Sequence, residues 1–487
     1  MIRRVAHFFG IFIPFIGVCM LFPLLVGLMY EEYDEALAFL ICIGICLVPG
    51  IIAKIGYKIP VTQEKIRLRE SYLIVTVSWF LASLFGCLPY ILTGVTDDFF
   101  IAYFETASGF STTGATAFNV VETLPHCILF WRSLTQWLGG MGMIVLFMAL
   151  VPKFGVMGGN ISKAETPGPI QRKISSRYAG TAQKLYASYI ILTLILVVLL
   201  LLGGMNLFDA SSHALTTMAT GGFSTHTGGL SYFGSPFIYG VIAIFALLAG
   251  SNFTLFFDII YGRIKDALKD EEYVFYVKII AVSSVLIAIS LRLSSYDISF
   301  GSNLGAAFFQ TVNTISTLGF ESSNSTWPSF CIMILAILMV VGGCSSSTAG
   351  GFKCARVLVL LKVLKRGIKQ MLYGSSREDI RYNGNAIQDE TMRYILSFVI
   401  LYLTTTCSAT ILICLFGKGD VMTNLLTVIS CISNLGPGLD NLGLICDYNL
   451  HSRLCIIVYT TVMIAGRLEL STFLVIFSRY FRNPDRA

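Results

Sequence analysis

The sequence predicts an all-α polytopic membrane fold, with two N-terminal spans followed by four pseudo-fourfold repeats of span, short helix, loop and span. Three observations lead there. Apolar residues dominate the chain from end to end, the basic residues crowd into alternate connections, and one glycine motif recurs four times in the same hydropathic setting.

Of 487 residues, 55% are hydrophobic and only 13% charged, against about 25% charged in soluble globular domains. Mean hydropathy is +0.75. A soluble enzyme or nucleic-acid binder is excluded despite the net charge of +6, because the polar surface that such domains need is missing. Runs long enough to cross a bilayer are predicted over 8–29, 36–53, 71–92, 127–150, 185–204, 236–260, 275–293, 329–362, 393–416 and 450–478. The first follows Arg3 and Arg4, and no small-residue cleavage pattern comes after it, so it reads as a retained span. The thirteen cysteines show no CxxC pair and read as small buried hydrophobes.

Four segments, 98–111, 208–219, 303–315 and 422–433, are apolar yet too short or too polar to cross. Each precedes a glycine-bearing stretch and reads as a helix entering the membrane partway. Irregular backbone at that depth survives only where protein buries it or a water-filled cavity runs past it. Charge tests this topology. With the N-terminus inside, 29 of the 34 Lys and Arg fall on one side, leaving Arg132, Arg292, Lys418, Arg453 and Arg467. That bias follows the positive-inside rule and puts both termini in the cytoplasm. The basic run from Arg356 to Lys369 is either a positive-inside anchor or a docking and lipid-headgroup surface.

The repeated motifs are Ser111-Thr112-Thr113-Gly114-Ala115-Thr116, Ala219-Thr220-Gly221-Gly222-Phe223-Ser224, Ser316-Thr317-Leu318-Gly319-Phe320-Glu321 and Ser433-Asn434-Leu435-Gly436-Pro437-Gly438. One glycine keeps its place in all four, at separations of 108, 97 and 117 residues, a sign of internal duplication. The chemistry suits a dehydrating cation. Backbone carbonyls supply oxygens without fixed charge, and glycine lets the loop aim them inward. The short helix before each loop turns its negative end toward the same point. The filter set is Thr112, Thr113 and Gly114; Thr220, Gly221 and Gly222; Thr317, Leu318 and Gly319; and Asn434, Leu435 and Gly436. Glu105, Asp209 and Glu321 do not occupy equivalent places, which disfavours a carboxylate ring.

After the third motif an apolar run ends in Gly342-Gly343-Cys344-Ser345-Ser346-Ser347-Thr348-Ala349-Gly350-Gly351. Glycine and serine resist helix, so the span is predicted to break into a polar intramembrane loop below the filter. Gly342, Gly343, Ser345, Ser346, Ser347, Gly350 and Gly351 form the candidate gate, with Arg467 from the last span. An intramembrane arginine demands a partner: the loop's carbonyls, Glu469, or a structural pair near the interface. Gly139-Gly140-Met141-Gly142 lacks a nucleotide-binding context and reads as close packing. Thr166-Pro167-Gly168-Pro169 predicts a stiff connection. No catalytic constellation or ATP motif is present in the sequence, so the chain is not read as an enzyme.

These motifs together resemble the Trk/Ktr/HKT superfamily of potassium transporters, most closely the bacterial Trk potassium-uptake membrane subunits, over 8–481. The resemblance implies potassium as the transported ion and no covalently bound cofactor. It implies a homodimer in the bacterial cytoplasmic (inner) membrane with one pore per protomer, surrounded by lipid, and no nucleic acid. A cytoplasmic nucleotide-binding regulatory subunit of the Trk A type is the implied partner, with 342–351 and Arg467 as the gate. Asn434 and Leu318 depart from the pattern and bear on how strictly potassium is preferred over sodium or rubidium. The division expected is 1–69 for the two-span region, then repeats at 70–180, 181–268, 269–390 and 391–487. A proton- or sodium-coupled symporter is the alternative within transport, and a non-conducting scaffold or receptor the alternative outside it.

Overall fold

The computed structural model describes residues 2–56, 68–142, 178–260, 262, 265, 268–294, 300–320, 327–374, 379–436, 448, 451–478 and 481. Thr166 to Pro169, Glu321 and Pro437-Gly438 lie outside them. Among the described residues, six helices are long and apolar enough to cross a membrane: Val5–Met29, Tyr33–Ile52, Arg69–Leu92, Gln183–Leu202, Glu271–Leu293 and Asp389–Phe416. Their outer faces expose large apolar side chains, among them Leu194, Val282, Ile400 and Leu415. Such surface is tolerable against lipid and not against water.

The last four of these helices each begin a unit in which a short helix follows. The short helices span Phe99–Phe110, Leu207–Ala219, Phe300–Ile315 and Val421–Ser433. Three start on a side-chain cap that satisfies their first free N–H groups: Asp98 accepts from Phe100, Asn206 from Asp209, and Asp420 from Met422 and Thr423. Buried polar residues crowd their inner ends, at Thr106, Ser108, Thr216, Thr217, Thr311, Thr314, Thr427 and Ser430.

The helix that closes each unit is not a single span. The sequence predicts unbroken spans over 127–150, 236–260 and 450–478, and the structure corrects all three. The first helix, His126–Gly140, stops at Met141 and Gly142, where Gly142 has φ +82°. The second divides into Pro236–Ala249 and Phe253–Ile260, and the fourth into Arg453–Arg467 and Leu470–Val475 around Glu469 at φ +62°. The third, Ser329–Val341, is followed by irregular backbone until Cys354–Tyr373 begins. Beyond it, Arg381–Tyr382 and Asn385–Ala386 pair as an antiparallel hairpin. Its turn has positive φ at both Asn383 and Gly384, the Asn-Gly geometry that matches strand twist.

The N-terminal helices are tied to the first unit by Glu32. Its carboxylate accepts from the backbone N–H of His126 (2.7 Å) and Cys127 (3.0 Å), capping His126–Gly140 from a distant segment.

Candidate functional site

Every short helix ends in one backbone pattern. Thr112 donates to Gly109 O and Thr113 to Ser108 O; Thr220 to Thr217 O and Gly221 to Thr216 O. Thr317 and Leu318 bond Thr314 O and Asn313 O, and Asn434 and Leu435 bond Cys431 O and Ser430 O. This is the Schellman arrangement, which needs a left-handed residue. Thr112, Thr220, Thr317 and Asn434 supply it at φ 57°, 54°, 54° and 55°. Two residues on, Gly114, Gly222, Gly319 and Gly436 are left-handed again at φ 79°, 79°, 78° and 74°. The residue between has no positive φ. Alternating handedness is a backbone pattern by which a strand can turn successive carbonyls to one side, as a row of oxygens for a cation requires. A β-branched threonine at positive φ is an outlier; asparagine accepts it readily, so Asn434 fits this geometry better than the residues it departs from.

The four loops meet. A Cβ on Gly114 would lie 2.0 Å from the carbonyl oxygen of Gly221, one on Gly222 2.3 Å from that of Leu318, and one on Gly436 1.9 Å from that of Thr113. The contacts run from loop one to two, two to three, and four back to one. They run in chain order around three junctions of the four, and Gly350 stands between loops three and four, its N–H on Thr317 Oγ1 and its Cα side against Ser433 O. Asn434 reinforces the junction of loops four and one by donating through Nδ2 to Thr113 Oγ1 (3.0 Å) and Met463 O (3.0 Å).

Residues that sequence reasoning missed hold the ring. Gln136 donates to Gly221 O (2.7 Å) and accepts from Phe223 N (3.1 Å), clamping the second loop from the first unit. Arg132 and Glu105 form a buried pair at 2.8 Å. Glu105 also accepts from Thr116 Oγ1 and Ala117 N, and the Arg132 guanidinium lies 4.1 Å over the Phe223 ring. Glu105 is thus spent on protein partners, and its position in the second unit is taken by His213, bonded to Ser224 Oγ at 3.0 Å. Asp209 accepts from Thr225 and Asn206. A polar residue inside an otherwise apolar helix was the available signal for Arg132 and Gln136.

The loop 342–353 packs against the inner side of the ring. Gly350 N donates to Thr317 Oγ1 (2.7 Å), and a Cβ on Gly350 would meet Ser433 O at 2.0 Å. Thr348 is its centre: Oγ1 donates to Met218 O and Ala249 O, both at 3.1 Å, and accepts from Thr220 Oγ1 at 3.4 Å. Gly342 and Gly351 close the loop on itself, so that a Cβ added to Gly351 would fall 2.7 Å from the Cα of Gly342. Gly343 O accepts from Cys354 N, Ser345 N bonds Glu272, Ser346 is exposed with its carbonyl accepting from Phe253 N, and Ser347 Oγ bonds Cys344 O. Arg467 donates to Thr348 O (2.7 Å), Gly139 O (2.9 Å) and Gly140 O. Glu469, the other partner open to Arg467 in the sequence, instead bonds Arg356 at 2.5 Å. Gly139 is packed so that a Cβ would fall 1.8 Å from Phe110 O, the close approach read from the sequence.

A model of the TrkH family, described as a cation transport protein, matches residues 41–278 and 273–484. The chain belongs to that family. It is 34% identical to the Trk system potassium uptake protein TrkH of Salmonella typhimurium, covering 98% of this chain and 99% of that one. It is 33% identical to TrkH of Escherichia coli over 98% and 99%, and 31% identical to TrkH of Halomonas elongata over 99% of both. The crystal structure of the potassium transporter TrkH from Vibrio parahaemolyticus superposes with a TM-score of 0.88 at 29% identity, over 99% of each chain. A TrkH family member is a transporter and not an enzyme.

Proposed function

We propose that this chain takes up potassium across the bacterial cytoplasmic membrane through the ring of four loops, with the carbonyls of 112–114, 220–222, 317–319 and 434–436 as the selective filter. The observation that carries the reading is the interlocked ring itself, in which four separate segments adopt one left-handed, glycine-dependent backbone. Such oxygen rows replace a hydration shell, and the inner ends of four helices favour a cation there. The pore repeats are 70–180, 181–268, 269–390 and 391–487, after the two-span region 1–69.

The basic bias supports a cytoplasmic location for both termini, for the hairpin and for Cys354–Tyr373. The loop 342–351, held against the ring through Thr348 and by Arg467, acts as the gate in its closed state. The family resemblance further supports a homodimer with one pore per protomer, and control by a nucleotide-binding cytoplasmic subunit of the Trk A type. The test is cation flux into liposomes, potassium against sodium, for wild type and Gly114→Ser. Potassium-preferring flux that follows the potassium gradient, with the preference lost in the variant, is expected. Flux that requires a proton or sodium gradient would overturn the channel reading in favour of coupled symport.

A further inference from the structure

Resting on the reading of 342–351 as a gate, we infer that Glu272 is a positioning residue that latches the loop at its cytoplasmic side, and that the hairpin Arg381–Ala386 is the handle of that latch. Glu272 is the second residue of Glu271–Leu293 and is 1% exposed. Its carboxylate is aimed at the loop. Oε1 accepts from Ser345 N at 2.5 Å and from Ala355 N at 3.0 Å. Those two donors stand at the two ends of the break: Ser345 enters the loop, and Ala355 lies in the first turn of Cys354–Tyr373. One carboxylate therefore caps a helix N-terminus and pins the loop to it, using N–H groups that the helix leaves free.

The other oxygen faces the hairpin. Tyr382 Oη donates to Glu272 Oε2 at 3.3 Å. The neighbouring Asn383 donates through Nδ2 to Asp270 Oδ2 (2.8 Å) and accepts from Glu271 N (2.9 Å). Asp270 caps the same helix by accepting from Glu272 N and Tyr273 N. Lys362 completes the connection, bonding Glu271 and the Arg381 carbonyl. Tyr382 also packs with Ala355, Val359 and Ile395 in a small apolar cluster separate from the main core. The hairpin thus touches the carboxylate, the helix cap and the helix that leaves the loop. Arg467 holds the loop from the filter side and Glu272 from the cytoplasmic side, so a displaced hairpin frees one hold and leaves the other.

The experiment uses the full chain in liposomes, with Cys407, Cys414 and Cys446 changed to serine. Two quantities are read: potassium flux, and labelling of Cys344 by a charged membrane-impermeant methanethiosulfonate, located by mass spectrometry. Cys344 and Cys354 are each 0% exposed in the closed arrangement. Glu272→Ala is expected to raise flux about tenfold and to expose Cys344, because bonds to a charged acceptor are the strong ones. Glu272→Gln keeps one oxygen for both N–H groups and is expected to fall between wild type and the alanine variant. Should Glu272→Ala fold poorly, Tyr382→Phe and Asn383→Gly serve instead, the latter preserving the left-handed turn; each is expected to raise flux roughly two- to fivefold. Potassium preference over sodium should stay at its wild-type value throughout, which a general collapse would not allow. Arg467→Gln is the reference. Increased flux and labelling in Arg467→Gln with none in the Glu272, Tyr382 and Asn383 variants would overturn the latch and leave the gate standing. No increase in any variant would overturn the gate reading and the latch with it.

Discussion

The four loops of the ring and the four breaks in the helices behind them belong to the same four units, yet they resemble one another to very different degrees. In the ring the left-handed residues agree within 54–57° and 74–79°. In the breaks the agreement is limited to the first and fourth, where Gly139 and Gly466 approach Phe110 O and Ile432 O alike and Gly142 and Glu469 take positive φ. The first stops at Met141-Gly142, the second jumps across Gly250–Asn252, the fourth turns on Leu468-Glu469, and the third opens into the long loop before Cys354. On the proposed reading, an ion centred among four strands must meet equal oxygens, which accounts for geometry held in common there; a barrier needs only one segment to cross the axis, which leaves the others free to differ.

The largest effect expected follows from breaking the common part. Gly436→Ala places a methyl where Thr113 O now lies, an overlap that only a backbone shift relieves. Selective potassium flux should fall about 100-fold, on the scale of an overpacked core, with Gly114→Ser behaving alike. Flux assays of both variants decide whether loops one and four are equivalent.

Breaking the divergent part acts in the other direction. Arg467→Gln removes a charge from three carbonyls and should raise flux without an activating partner about tenfold, with ion preference retained.

A milder exchange sharpens the comparison within the ring. Asn434→Thr makes the fourth loop like the others but loses the bridge to Thr113 and Met463, and should lower stability by about 1 kcal/mol. Thr112→Asn, by contrast, eases a strained threonine and should leave thermal stability unchanged or higher. Thermal unfolding in detergent measures both.

The smallest effect lies outside the ring. Burial pushes the Glu32 carboxyl up, but hydrogen bonds from Cys127 and His126 outweigh it and hold the group below its usual value. A lowered folded pKa contributes stability above the unfolded value, near 4.3, which is lost as pH falls through the folded one. The unfolding temperature should therefore drop more steeply below about pH 4 in wild type than in Glu32→Gln. The cap is peculiar to the first unit; in the fourth, Ser452 caps Arg453–Arg467 locally through Cys455 N.

The short helices are legible in the sequence because an apolar stretch too short to cross, followed by glycine in fixed register, has few other uses. The breaks at Gly250 and Leu468 are not, since the flanking residues stay apolar and a helix interruption inside protein leaves hydropathy unchanged. Gln136 and Glu272 escape for a different reason. Each bonds backbone far away in the chain, and no local spacing records that. The hairpin is readable, because Asn383-Gly384 between Tyr382 and Asn385 is a turn signal, although the segment around it is dominated by basic residues. Thr348 sat in plain view beside three serines, and only packing distinguishes it from them.

The bond from Asn434 to Thr113 joins positions 321 residues apart, and this has a meaning for biosynthesis. The first loop can form its own turn as soon as it is made, but its neighbour on one side does not exist until nearly the whole chain has been inserted. A nascent or truncated chain therefore carries three quarters of a ring and no finished conduit. On the proposed reading of the ring as a pore, its assembly therefore waits for the fourth loop to be inserted.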